Sequence, residues 1–190
     1  LLAFSSSVTG SANTRDICLV DRSSGQIQQL TNNPAGALAY SPKISADGSL
    51  IYFIRESVEG VRDLVVVERI TGKEFVLEQN LADLTISDGH ALSDDGTRLV
   101  YSTTAIENQS QVHLYDRRAG TSRQLTHLSA RATDVKLQAA ISGDGLRVTF
   151  VTRRRVGNAG DGSVELYLID LPTGETQQLT NAPAGANAEI

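Results

Sequence analysis

The sequence predicts an all-β fold, a β-propeller of four-stranded antiparallel blades with four blade equivalents along its 190 residues. Three observations predict it. An apolar run closing on an acidic residue, with glycine four positions later, occurs four times. A Ser-x-Asp-Gly turn followed by β-branched and aromatic residues occurs three times in matching register. The copies recur at a spacing that suits one blade of about four short strands and their turns.

The first phrase is Ile17-Cys18-Leu19-Val20-Asp21, leading to Gly25 and Leu30-Thr31. It returns as Leu64 to Glu68 with Gly72 and Leu77, as Val112 to Asp116 with Gly120 and Leu125-Thr126, and as Leu166 to Asp170 with Gly174 and Leu179-Thr180. The glycines are 47, 48 and 54 positions apart. Each acidic residue and glycine predict a hairpin turn, the carboxylate accepting local N–H groups and glycine permitting positive φ. The second phrase reads Ile44-Ser45-Ala46-Asp47-Gly48, Leu92-Ser93-Asp94-Asp95-Gly96 and Ile141-Ser142-Gly143-Asp144-Gly145. One such turn is weak evidence; three in register are strong.

Each blade therefore reads as strand A, the Ser-x-Asp-Gly turn, then strands B, C and D. The whole chain, 1–190, forms one propeller unit, with blades at 1–31, 38–78, 87–126 and 137–180. Strand A of the third blade is placed at 87–93 and that of the fourth at 137–142. No segment reads as a long helix. The first blade lacks its own strand A, since Leu2-Ala3-Phe4-Ser5 aligns with strand B. The segment 186–190 matches a strand A and is expected to complete that blade. Three closures fit: a small four-bladed ring, two copies joined into a larger ring, or an excerpt of a longer propeller.

The succession of Ile-Ser-x-Asp-Gly, a β run, an apolar strand ending in Asp, and Thr-Gly with Gln-Leu-Thr resembles the TolB-like, WD-repeat-like β-propeller family. The late phrase appears as Ser24-Gly25-Gln26-Ile27-Gln28-Gln29-Leu30-Thr31 and as Thr173-Gly174-Glu175-Thr176-Gln177-Gln178-Leu179-Thr180. The resemblance covers essentially the entire chain. The family most often has proline at the x position, where this chain has Ala46, Asp94 and Gly143; its absence is expected to change only one turn angle. There is no tryptophan, so the Trp-Asp ending of true WD repeats is missing. The family includes periplasmic interaction proteins and propellers that precede a serine-peptidase domain. The resemblance thus implies a periplasmic or extracytoplasmic setting, and a larger propeller rather than a lone four-bladed ring. It carries over no catalytic residue.

Composition narrows the function. Seventeen Lys and Arg stand against 22 Asp and Glu, for a formal charge of -5, which gives no global attraction for a phosphate backbone. Nucleic acid is not an expected partner. Neither is a membrane, since no apolar run is long enough to span one. The start, Leu1-Leu2-Ala3-Phe4, is too short and uncharged for a signal peptide and reads as the middle of a repeat. Cys18 is the only cysteine and lies in a strand pattern, as a structural thiol.

No nucleophile elbow, His-Glu-x-x-His helix or phosphate-binding loop occurs. His90, His113 and His127 fall at separated places in one blade and do not converge as metal ligands. Asp47, Asp95 and Asp144 read as turn caps, and no cofactor or metal is expected. The reading is a non-enzymatic scaffold for protein or peptide interaction. The alternatives are a propeller portion gating a serine peptidase, and a structural fragment that self-assembles without a ligand.

Two groups of candidate contact residues emerge. Strand A is innermost in a propeller, and aligning its copies places Pro42, His90, Ala139 and Ala188 in one column and Lys43, Ala91, Ala140 and Glu189 in the next. Lys43, His90 and Glu189 break otherwise small or apolar columns and are expected near the central channel. The second group lies in the fourth blade, where Arg153-Arg154-Arg155 opens a glycine-rich loop. Arginines there suit carboxylate or phosphate recognition, with Arg153 and Arg155 on one side of the strand.

Overall fold

The computed structural model describes residues 1–7, 13–105, 109–128, 138–154, 163–181 and 183, the side chains of 105, 109, 153 and 154 excepted. Every regular element among them is a β-strand, and all four sheets are antiparallel. The first sheet is β1 (Leu2–Ser6), β2 (Asp16–Val20) and β3 (Ile27–Gln29), in that order. The second has four strands in chain order: β4 (Leu38–Ile44), β5 (Leu50–Glu56), β6 (Arg62–Glu68) and β7 (Lys73–Leu81). The third is β8 (Arg98–Ala105), β9 (Gln109–Asp116) and β10 (Thr121–Gln124). The fourth is β11 (Ala139–Ile141), β12 (Arg147–Arg154), β13 (Ser163–Asp170) and β14 (Thr176–Gln178).

The strand expected at 87–93 does not form. Two isolated bridges, Thr85 to Ser102 and Leu92 to Leu99, replace it. The reason lies in where the backbone groups go. Ala91 N–H turns back on the Gly89 carbonyl, and the His90 carbonyl accepts from Ile141 N–H of the next sheet. The segment is shared between two sheets instead of forming a ladder with one.

The turns behave as their chemistry dictates. In each Ser-x-Asp-Gly turn the serine hydroxyl donates to the aspartate, at 2.6 Å for Ser45 and 2.8 Å for Ser93, and accepts the N–H that opens the next strand. Asp47 accepts Ser49 N–H as well, and these bonds hold its carboxyl down to about 2. In the other hairpins, glycine N–H bonds the carbonyl of the acidic residue four positions earlier, at 2.7 to 2.9 Å, in all four sheets.

The core lies between sheets, as the period-2 alternation of strands requires. On β5 and β6, Ile51, Phe53, Val65 and Val67 pack with Ala39 of their own sheet and with Ile17 and Leu19 of the first sheet. Tyr52, Ile54, Leu64 and Val66 point the other way, into a cluster with Leu99, Val100, Leu114, Val148 and Phe150. Each of these strands is therefore apolar on both faces, and fully burying one such side chain contributes about 1.5–3 kcal/mol. Cys18 is buried, and burial raises its thiol pKa, which keeps it inert.

Successive sheets are also tied through the x position of the Ser-x-Asp-Gly turns. Ala46 N–H donates to the Asp94 carbonyl at 3.1 Å, and Asp94 N–H to the Gly143 carbonyl at 2.9 Å. Proline at 46 or 94 would remove a donor as well as preset an angle. The missing prolines thus have a larger structural consequence than the turn angle alone. Because successive strands alternate in direction, these turns share one end of the sheets with the Asp–Gly hairpins. The B–C hairpins and the D-to-A connections lie at the other end.

Candidate functional site

Lys43 owes its position to a bulge. On β4, Tyr40 pairs with Ile54 and Lys43 with Tyr52, so three steps on one strand match two on the other. The extra residue sits at Ser41-Pro42, where Ser41 takes φ +54. A bulge re-aims the side chain that follows it. The ammonium of Lys43 donates to the Asp88 carbonyl at 3.1 Å. Half-burial lowers its pKa, and the nearby Asp88 carboxylate acts weakly in the opposite direction.

His90 is fixed through both its backbone and its ring. Its carbonyl accepts from Ile141 N–H at 2.7 Å, and Nδ1 lies 2.8 Å from the Ile141 carbonyl. A carbonyl only accepts, so Nδ1 carries the proton. Nε2 then faces Asp94, 3.4 Å away.

Lys43 and His90 line one cavity of about 230 Å³, whose walls include Leu2, Ala3, Pro42 and Leu92. Strict alternation would not have placed them together, since they fall in adjacent columns of the repeat alignment; the bulge and the tight turn at Gly89-His90-Ala91 do so. Among the described residues Lys43 has no carboxylate within ion-pairing distance. The cavity therefore offers one half-buried ammonium, one oriented imidazole and an apolar wall, with Asp88 also in its lining. This combination is suited to holding a carboxylate attached to an apolar group.

The other expected contact residues stand apart from this pair. Glu189 and Arg155 lie outside the described residues. Arg153 is in β12, paired with Val164, and its side chain lies outside the description. Asp88 and Asp94 were missed as site residues. The available signal was Asp94 itself, the one charged residue among Ala46, Asp94 and Gly143 at the x position. His113 stands in β9 stacked on Tyr101, away from the cavity. Among the described residues no group of three or more His, Cys, Asp or Glu side chains is placed to hold a metal ion. No helix among them is long and apolar enough to cross a membrane.

Antiparallel sheets stacked face to face and joined at their inner turns are the building plan of a β-propeller. Within that class the fold is TolB-like. The chain is similar to TolB from Acinetobacter baumannii, with a TM-score of 0.68 at 15% identity over 96% of this chain and 42% of that one. It is similar to a putative TolB from Agrobacterium tumefaciens, with a TM-score of 0.64 at 20% identity over 94% of this chain and 60% of the other. A prolyl endopeptidase structure gives 0.67 at 12% identity, over 98% of this chain and 31% of the enzyme. The chain thus spans less than two thirds of each of these proteins. Neither a family model nor a curated protein sequence matches it.

Proposed function

We propose that this chain is a non-enzymatic propeller module that binds a protein or peptide segment, and that the Lys43–His90 cavity receives a carboxylate of that segment. The observation that carries this reading is the lysine itself. Its ammonium is half-buried, donates to a backbone carbonyl, has no carboxylate within ion-pairing distance among the described residues, and shares a largely apolar lining with Asp88. A charge kept in that state gains most from an anionic ligand, because the surrounding protein screens less than water. Glu189, Arg153 and Arg155 remain further proposed contacts of the same partner.

The test is a titration of the chain with a five-residue peptide bearing a free C-terminal carboxylate after leucine, alongside its amidated form. The free acid should shift the amides of 43–44 and 88–92. Lys43→Gln should weaken it roughly five- to tenfold, the scale of one partly desolvated charge contact. Equal binding of acid and amide would refute the assignment.

A second reading is favoured by the peptidase neighbours, which include the dipeptidyl peptidase 4 of Porphyromonas gingivalis at a TM-score of 0.60 and 13% identity, over 91% of this chain and 24% of the enzyme. In that reading the blades gate a separate serine-peptidase domain. A nucleophile elbow encoded beyond Ile190 would support it.

A further inference from the structure

A larger cavity, of about 550 Å³, opens at the other end of the sheets, between the 31–37 connection and the 57–61 hairpin. Its lining combines three carboxylates with one cation. Arg55 is shared between Glu74, with which it makes a close ion pair, and Asp63 at 3.9 Å. One guanidinium between two carboxylates leaves a net negative charge, and Glu59 on the hairpin adds another. A hydrogen bond from Ser57 keeps Glu59 below the usual carboxylate range.

Apolar surface lies beside this charge. Val58 and Val61 are 63% and 40% exposed and sit together on the cavity rim. The rim is preformed, because Val58 rests against Gly36 of the opposite connection. A Cβ at residue 36 would lie 2.8 Å from the valine methyl. A further carboxylate lies behind this lining without lining the cavity itself. Asp16 is fully buried directly behind Thr31 and Asn33, both of which line the cavity and bond its Oδ1. Its Oδ2 has no partner. Buried polar atoms are seldom left so. The equivalent Glu165 uses both of its oxygens, accepting from Ser163 and Thr180.

The geometry points to this groove as a second binding site, for a peptide segment carrying a lysine or arginine beside an apolar residue. The basic group sits over Asp63, Glu74 and Glu59, and the apolar neighbour covers Val58 and Val61. The site is separate from the Lys43 cavity and prefers the opposite charge.

The experiment uses the full chain, 15N-labelled, and a capped five-residue peptide with a central lysine flanked by valines. Its glutamine and glutamate counterparts serve as controls. The lysine peptide should shift the amides of 31–33, 35–37 and 57–63, and bind at least about fivefold more tightly than the glutamine peptide. Glu59→Gln should weaken it roughly two- to fivefold. Val58→Ser should weaken it about fivefold through lost apolar burial. Lys43→Gln should leave it unchanged, which separates this site from the one proposed above. Shifts absent from both segments would overturn the proposal, as would tighter binding of the glutamate peptide. So would affinity untouched by both groove substitutions. Glu59 is exposed, so its variant keeps the test valid if Val58→Ser fails to fold.

Discussion

Gly96 and Gly120 have nearly the same backbone conformation, φ +68 and +66, but different surroundings. A Cβ at Gly120 would meet nothing within 4 Å, whereas one at Gly96 would lie 2.7 Å from the Ser45 Cβ of the neighbouring sheet and 3.2 Å from Leu50 Cδ1. Replacing each by alanine separates two costs. Both variants bear the left-handed penalty of about 1–2 kcal/mol. Gly96→Ala must also push Ser45 aside, and Ser45 is held by its own turn bonds, so overpacking adds about 1–3 kcal/mol. Gly120→Ala should therefore cost about 1–2 kcal/mol and Gly96→Ala about 2–5. At about 2–4 °C per kcal/mol for a chain of this size, the two melting temperatures should differ by about 2–12 °C. Urea unfolding followed by circular dichroism provides the comparison at constant temperature. Equal losses in the two variants would refute the claim that the Ser-x-Asp-Gly turns pack against the adjacent sheet while the Asp–Gly hairpins face solvent.

Three further outcomes are expected. Thr126 is buried, donates to Gln111 Oε1 at 2.8 Å and accepts Val112 N–H at 3.0 Å, so Thr126→Val should cost about 2–3 kcal/mol in urea unfolding while Thr126→Ser restores most of it. The Asp47 carboxyl should titrate near 2 in a 13C carboxyl NMR titration, below its ordinary 3.8; its contribution to stability is present above the unfolded value and lost as pH falls through the folded one. His113 is partly buried with Nε2 unpartnered, and burial lowers its pKa below 6.5. Its neutral form favours folding, so stability at this site declines as pH falls below the unfolded value of about 6.5, and His113→Phe should flatten that decline in thermal melts at pH 5 to 8.

The repeat was legible because its chemistry is local. A serine two residues before an aspartate, or a glycine four after an acid, caps a turn with atoms close in sequence. Those bonds are present at Ser45–Asp47, Ser93–Asp95 and Ser142–Asp144. The segment 87–93 was misread as a strand because the competition for its backbone is not local. Its place in the repeat suits a strand, but His90 and Ser87 bond Ile141 and Ala139, 51 and 52 positions away. The Lys43–His90 pairing was half legible. Alignment singled out both residues, while the bulge that brings them to one cavity depends on register with Ile54 and Tyr52. The groove was not foreseen, since Arg55, Asp63 and Glu74 share a face only once β5, β6 and β7 are paired.

The groove also shows how a repeat protein gains a site by breaking its own rule. In three sheets a threonine clasps a side chain near the start of strand C: Thr31 on Asp16, Thr126 on Gln111, Thr180 on Glu165. In the second sheet the threonine position is Glu78, and β7 runs on to Leu81. Asp63, the residue that would be clasped, accepts Asn80 N–H and turns toward Arg55 instead. Arg55 in turn reaches Glu74, and this group lines the groove between the first and second sheets. The inner cavity follows the same logic, through an extra residue at Ser41-Pro42 and a lysine and histidine in columns otherwise small or apolar. Residues that obey the repeat are committed mainly to turns and cores. The two cavities for which binding is proposed both lie where the repeat departs from itself.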